Sequence, residues 1–519
     1  MTGKSWRPFA RLAAAVTMTC VVTLPAAAAP RVEPPGPAPV AGGVAAGAAA
    51  LASGQSAPQA QMDRETAQTM FYDELLPLVN TPVGWTGSVA GCVAGSPSDT
   101  ALNANLAAVN LFRKMQQLPP VTLNAAYNRG AQAAALIMHA QGALSHGPTP
   151  AWACFTPEGA VGAGRSNLYL GVTGASAIWG YMTDPGASNT AVGHRRWIIH
   201  PGATSMGVGM TDHSHALWVI GDSWSSASEP QWLAWPTAGH FPAWLEPEGR
   251  WSLGTSDNAT SFRQARVRVD GPQGPMKVTA HEPVEGYAMN TLVWQVDGLP
   301  QAGAMEKDSR YRVTVEGVTR AGATLAPIVY DVALVAARPA TAPTTPRLTG
   351  TPRPGVTLRL ADLTWPADLS YDVQWLRNGR PIVGASGLSY TPAAGDVGTR
   401  ISARVTLKRE YYQQSSVTTA PLTVLAPPGP RRWTTTKSPA LFGDARVGST
   451  VRVSPGSWTP APATVSFQWY RGNTPIKRAN KSTYQLSRAD RGASVRAVVT
   501  VTRPGWPKGT ASTKTARVR

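Results

Sequence analysis

Eight residues near the C-terminus are repeated at one fixed interval. Gln374-Trp375, Arg377, Pro381-Ile382, Tyr390, Asp396 and Gly398 return 94 residues later as Gln468-Trp469, Arg471, Pro475-Ile476, Tyr484, Asp490 and Gly492, and Tyr412 maps in the same way onto Trp506. A period of this length forces the last stretch of chain into two copies of one unit, each with its own core. Strand-like alternation surrounds a single central tryptophan in each copy, Trp375 or Trp469. This predicts two all-β sandwiches, 340–425 and 427–519, with the tryptophans as core residues rather than sugar-stacking platforms.

The repeats resemble the bacterial immunoglobulin-like (Ig-like) modules of secreted proteins. The remaining chain is longer than they are, and a length of 519 residues calls for three to five domains in all. Between about 226 and 337, runs such as Ala265–Val269, Leu292–Val296, Arg310–Val315 and Ile328–Leu334 predict a third β-sandwich. From 62 to 225 the period is helical first. Leu102, Leu106, Val109, Phe112 and Met115 mark one helix, with Ser98 or Asp99 as N-cap, and Asn124–Gln141 a second, ending before Gly142. A shorter helix over Ala175–Met182 follows, then strands at Ser205–Thr211 and Ala216–Gly221 joined by a turn at Asp212–His215. Helices followed by a hairpin give an α+β domain.

Lys4, Arg7 and Arg11 precede an apolar run from Leu12 to Leu24 and the small residues Ala26–Ala29. This predicts a signal peptide over 1–29 and a secreted, extracellular protein, with attachment to the cell wall a further expectation. No other run approaches about 18 apolar residues, so no transmembrane segment is expected. Residues 30–61 are mostly Pro, Ala, Gly, Ser and Gln with no charge beyond Arg31 and Glu33, and read as a linker. Three cysteines without a CxxC pair exclude zinc ribbons and thioredoxin-like sites. In an oxidising compartment Cys92 and Cys154 are expected to form a disulfide, the alternative being two buried thiols.

Charge is unevenly placed. Residues 340–519 hold 26 lysines and arginines against 7 acidic residues, while residues 30–339 carry a net of −4. From 427 onward 17 basic residues face only Asp444 and Asp490. Such a module attracts polyanions, and wall or envelope polymers are the expected partners; nothing in the pattern reads bases.

The α+β region carries the residues that suit chemistry. The ordered stretches are "VNLFR", "LPPVTLNAAYNRGAQAAALIMHAQGALSH" ending in His146, "GRSNLYLG" with Ser166-Asn167, and "GHRRWIIHPGATSMGVGM" with His194. Over residues 99–225 this resembles the CAP superfamily (cysteine-rich secretory proteins, antigen 5, pathogenesis-related 1), in its bacterial secreted branch. The resemblance implies an α-β-α sandwich whose cleft is lined by two histidines and two acidic residues able to hold a divalent metal. His146 and His194 stand where the two histidines are expected. Ser166 occupies one glutamate position, with Arg165 as an extra residue, and Asp184 is only a substitute for the other. Two imidazoles without a carboxylate leave a zinc shell incomplete, so any divalent metal is expected to bind weakly. The implied cleft is then His146, Ser166, Asn167 and His194, with Ser166 a hydrogen-bond partner for one imidazole.

No GxSxG, HExxH or Walker motif is present. Three readings follow. The first is a secreted, non-enzymatic CAP-domain protein that binds a ligand, such as a small lipid-like molecule, in its cleft and attaches to anionic polymers through its basic repeats. The second is a metal-assisted hydrolase or endopeptidase using His146, His194 and Asp184. The third is a pure adhesion scaffold.

Overall fold

A computed structural model describes residues 34–41, 57, 58, 62–222, 225 and 232–519. The signal-peptide segment 1–29, most of the expected linker and the expected boundary at 226 lie outside the described residues. The chain divides into two compact units, one reaching to Thr341 with the short segments 366–370 and 407–415, the other comprising 342–365, 371–406 and 416–519.

In the first unit, helix α1 (Arg64–Thr69) starts at Asp63, whose carboxylate accepts from Thr66 N. Helix α2 (Asp99–Lys114) begins at Ser98, whose hydroxyl accepts from Ala101 N, and ends with Arg113 and Lys114 in its last turn. Strand β1 (Thr122–Leu123) leads into α3 (Ala125–Gln141). There Asn124 caps Ala126 N and Tyr127 N, and Gly142 at φ +68° terminates the helix. Helix α4 (Pro157–Arg165) runs directly into β2 (Ser166–Leu170). Helices α5 (Gly174–Thr183) and α6 (Gly193–Ile198) precede the hairpin β3 (Ser205–Met210) and β4 (Ser214–Trp218). Strand β4 starts two residues earlier than the sequence pattern suggested. Thr211 and Ser214 close a tight turn through Thr211 N to Ser214 O at 2.9 Å and a 2.9 Å hydroxyl pair.

The four strands pair in the order β1-β3-β4-β2, with β1 parallel to β3 and the rest antiparallel. Alternation along β3 separates two layers. Met206, Val208 and Met210 enter the core shared with α2 and α5, while Gly207 and Gly209 face α3. A Cβ on Gly209 would lie 2.1 Å from Gln132 N, so the helix rests on bare backbone. The opposite core packs Ala131, Ala134, Ala135, Ile137 and Met138 of α3 against Leu168, Ala216 and Trp218. Helices cover both faces of the sheet, which is the α-β-α sandwich that the family resemblance implied.

The β-region after residue 232 forms a five-stranded and a four-stranded sheet, built on strands such as Arg250–Thr255, Asn290–Val296, Ser309–Glu316 and Ile328–Val335, with a small three-stranded sheet beside them. Its buried residues belong to the same hydrophobic cluster as the helical region, running from Ala38 to Ala336. Cys92 and Cys154 form a disulfide with Cα atoms 5.1 Å apart.

In the second unit the sequence repeat is a repeated hydrogen-bond network. Trp375 Nε1 donates to Gly387 O at 3.0 Å and Trp469 Nε1 to Lys481 O at 2.9 Å. Tyr390 and Tyr484 donate to the carboxylates of Asp396 and Asp490 at 2.7 and 2.8 Å, which Arg377 and Arg471 also meet. Both tryptophans are fully buried, as core residues. In the second copy the sheets run Ala440–Phe442, Thr450–Ser454, Thr483–Gln485 and Thr474–Pro475, Thr464–Arg471, Ser494–Thr502, Gly509–Ser512.

Candidate functional site

Helix α6 is the sequence "GHRRWI", and almost every side chain on it has a fixed partner. His194 is fully buried, with Nδ1 2.8 Å from Asp184 Oδ1. The other oxygen of Asp184 accepts from His194 N at 3.0 Å and Arg195 N at 3.3 Å, so one carboxylate caps the helix and orients the ring. Asp184 itself sits at φ +54°, ending α5. Arg195 donates to Met182 O, Thr183 O, Arg250 O and Ser252 Oγ, and burial holds its guanidinium down at about 9. Arg196 reaches Val284 O and Met289 O and lies 5.0 Å from the Tyr287 ring centre. Both guanidiniums staple the helical region to the β-region.

His146 follows α3 and is partly buried. Its Nδ1 is 2.7 Å from Ala163 O and its Nε2 is 2.5 Å from Pro37 O. A neutral imidazole has a single N–H, so only the imidazolium satisfies both oxygens. Burial, foremost, lowers the proton affinity of His146; the two carbonyls oppose this, and His194 is close enough to add to the lowering. Pro37 belongs to the predicted linker, yet residues 34–41 are packed, with Pro35, Ala38 and Pro39 buried. Asn189 Nδ2 donates to Pro35 O at 3.0 Å and Trp197 Nε1 to Pro39 O at 2.8 Å. Composition misses this because the segment is held mainly through its main-chain carbonyls, which carry no sequence signature.

Ser166 and Asn167 open β2 and are fully buried. Asn167 Nδ2 donates to His194 O at 3.2 Å, which ties the strand to α6. Ser166 Oγ has no hydrogen-bond partner among the described residues, so the expected Ser166–imidazole bond is absent. His194 Nε2 and Asn167 Oδ1 are also without one. The site therefore brings His194, Asp184 and Asn167 together, and joins His146 to α6 through the segment 34–41.

The donor set does not fit a divalent metal. Both ring nitrogens of His146 face carbonyls, and both oxygens of Asp184 are engaged by the His194 ring and the α6 backbone. No group of three His, Cys, Asp or Glu side chains converges among the described residues. Asp184 is a support for His194 rather than a third ligand.

His200, His213 and His215 do not form a cluster. His213 lies beside His139 at 5.4 Å between ring centres, and His200 stacks over Trp197 at 6.3 Å. His215 is fully buried with Nε2 2.9 Å from Asn105 Oδ1. The hydroxyl of Tyr181 lies 3.2 Å from His215 Nδ1 and 3.0 Å from Asn167 O, and the Tyr181 ring stacks on His194 at 5.4 Å. Asn105, Tyr181, Asn189 and Trp197 were invisible as site residues. Only the proximity of Trp197 to the "GHRR" run offered a signal.

Residues 106–220 match the sequence model of the CAP, cysteine-rich secretory protein, family. No curated protein matches the chain. Among solved structures, the chicken CNTN1 FN1–FN3 domains align at 12% identity over 52% of this chain and 95% of that one, with a TM-score of 0.14. The ICAM-5 D1–D4 ectodomain fragment aligns at 13% identity over 55% and 77%, with a TM-score of 0.15. Scores this low carry no weight on the fold, which rests on the strands described above.

Proposed function

On the premise that residues 106–220 are a CAP domain, we propose an exported protein that binds a ligand beside His146 and attaches to anionic envelope or wall polymers through its second repeat. The observation that carries the attachment is the distribution of charge on residues 427–519. Fifteen of the 17 lysines and arginines there are exposed. The only two acidic residues are already paired, Asp444 with Arg446 and Asp490 with Arg471. Free cations on a rigid β-scaffold concentrate polyanions, and salt weakens that attraction. Replacing Arg431, Arg432, Lys477, Arg478, Lys481 and Arg488 by Gln in the full chain should weaken binding to isolated envelope or to a soluble polyphosphate about tenfold or more at low salt. Equal binding by the variant and the parent, or binding indifferent to salt, removes the repeat from this role.

The hydrolase reading has one feature in its favour, the carboxylate of Asp184 on His194 Nδ1. Against it, Ser166 Oγ and His194 Nε2 are both unpartnered, so these two residues make no nucleophile–base bond with each other. Calorimetry with zinc on the full chain separates the two. Tight binding that is lost in His194→Ala would restore the metal reading.

A further inference from the structure

Residues 34–41, Pro34-Pro35-Gly36-Pro37-Ala38-Pro39-Val40-Ala41, lie extended along the face formed by His146, Asn189 and α6. Three side chains from three separate places meet alternate carbonyls: Asn189 at Pro35, His146 at Pro37 and Trp197 at Pro39. A spacing of two residues is that of an extended chain presenting one edge. Each of those groups reads main chain, and each supplies or can supply a proton. The segment is suited to them, because four of its first six residues are prolines with carbonyl acceptors but no amide donor.

Side-chain selectivity comes from close approach. A Cβ built on Gly193 would lie 2.6 Å from Ala38 Cβ and 2.7 Å from the Tyr287 ring, so Ala38 fills a niche that only glycine at 193 leaves open. Beyond it, Ala41 N donates to Gly286 O at 3.0 Å.

We propose that this face of the CAP domain is a receptor for extended proline- and alanine-rich polypeptide, and that residues 34–41 occupy it in cis as a tethered competitor. The proposal rests on the reading of the cleft as a binding groove and names its ligand class. Proline fixes φ in advance, so such a ligand loses little freedom on docking. The tether gives the strap an effective concentration of roughly millimolar, so an external chain enters only by displacing it.

The test uses a fluorescein-labelled peptide of sequence PPGPAPVA with the full chain and with a full-chain variant lacking residues 34–41. The deletion variant should bind the peptide saturably, and the intact chain about tenfold or more weaker. Asn189→Ala in the deletion background should cost about fivefold in affinity. A peptide with leucine in place of the residue corresponding to Ala38 should fail to bind. In parallel, the indole N–H resonance of Trp197, assigned by Trp197→Phe, should move on deletion and return on adding the peptide. If the deletion variant does not fold, Ala38→Trp in the full chain evicts the strap and takes its place. An indole that moves on deletion but accepts no peptide overturns the proposal and leaves the groove reading standing. An indole unmoved by deletion shows that the strap has no seat, and overturns both.

Discussion

Arginine serves opposite purposes in the two units. In the CAP-bearing unit Arg113, Arg195 and Arg196 are buried and spend their donors on main-chain carbonyls, Arg113 on Pro119, Ile198, His200 and Ala203. In residues 427–519 almost all of them point outward, and the arginine with the most defined internal partner, Arg471, bridges to the buried carboxylate of Asp490. A charge count along the chain would treat these residues alike. Their physical roles differ because a guanidinium with five donors can replace water when enough carbonyls converge on it, and remains in water where none do. Histidine sharpens the contrast: all eight lie at or before His281, and the repeats have none.

The largest expected effect is that of acid. Burial holds His215 at about 3, and burial with Arg113 beside it holds His200 at about 4, whereas unfolded imidazoles titrate near 6.5. The unfolded chain therefore binds more protons throughout this window. Stability is full above about pH 6.5 and falls as the pH drops toward 3 to 4, by on the order of 5 kcal/mol for the two rings together. Calorimetry across pH should show the CAP-bearing unit losing its transition first, and His215→Asn should flatten part of the slope. Two transitions falling in parallel would erase the contrast.

Trp469→Ala should remove about 4 kcal/mol from the second repeat, the cost of emptying a closed core, with the CAP-bearing unit's transition unchanged. Asp490→Asn should cost about 2 kcal/mol, because Arg471, Tyr484 and Ser487 all direct donors at that carboxylate. The matching Asp396→Asn should cost the first repeat a similar amount, since Arg377, Tyr390 and Ala393 N meet it in the same way. Unequal losses in denaturant melts would show that the repeated network is not equally used.

Much of the fold was legible because its signals are local. Ser98, Asn124 and Gly142 mark helix ends by their own side chain or backbone freedom, and the 94-residue repeat marked Trp375 and Trp469 as core residues. The CAP motifs pointed to the α+β region that the family model matches over residues 106–220, and Cys92 pairs with Cys154 as two cysteines in an oxidising compartment suggest. What was not legible depends on remote burial. Nothing near Arg195 in sequence says that Arg250 O and Ser252 will meet it, and nothing in Ser166 says that it will be left without a partner. The strap was misread for a related reason: low apolar content argues against a packed segment, but main-chain acceptors meeting side-chain donors need no apolar content.

Strand β3 and helix α3 meet where glycine leaves peptide against peptide, with Gln132 clamping Met210 through both its N–H and its carbonyl. At Gly209 no side chain of the strand stands between the two layers to absorb a displacement. A tilt of the helix is therefore passed to the strand and on through Met210 to its cross-strand neighbour His215.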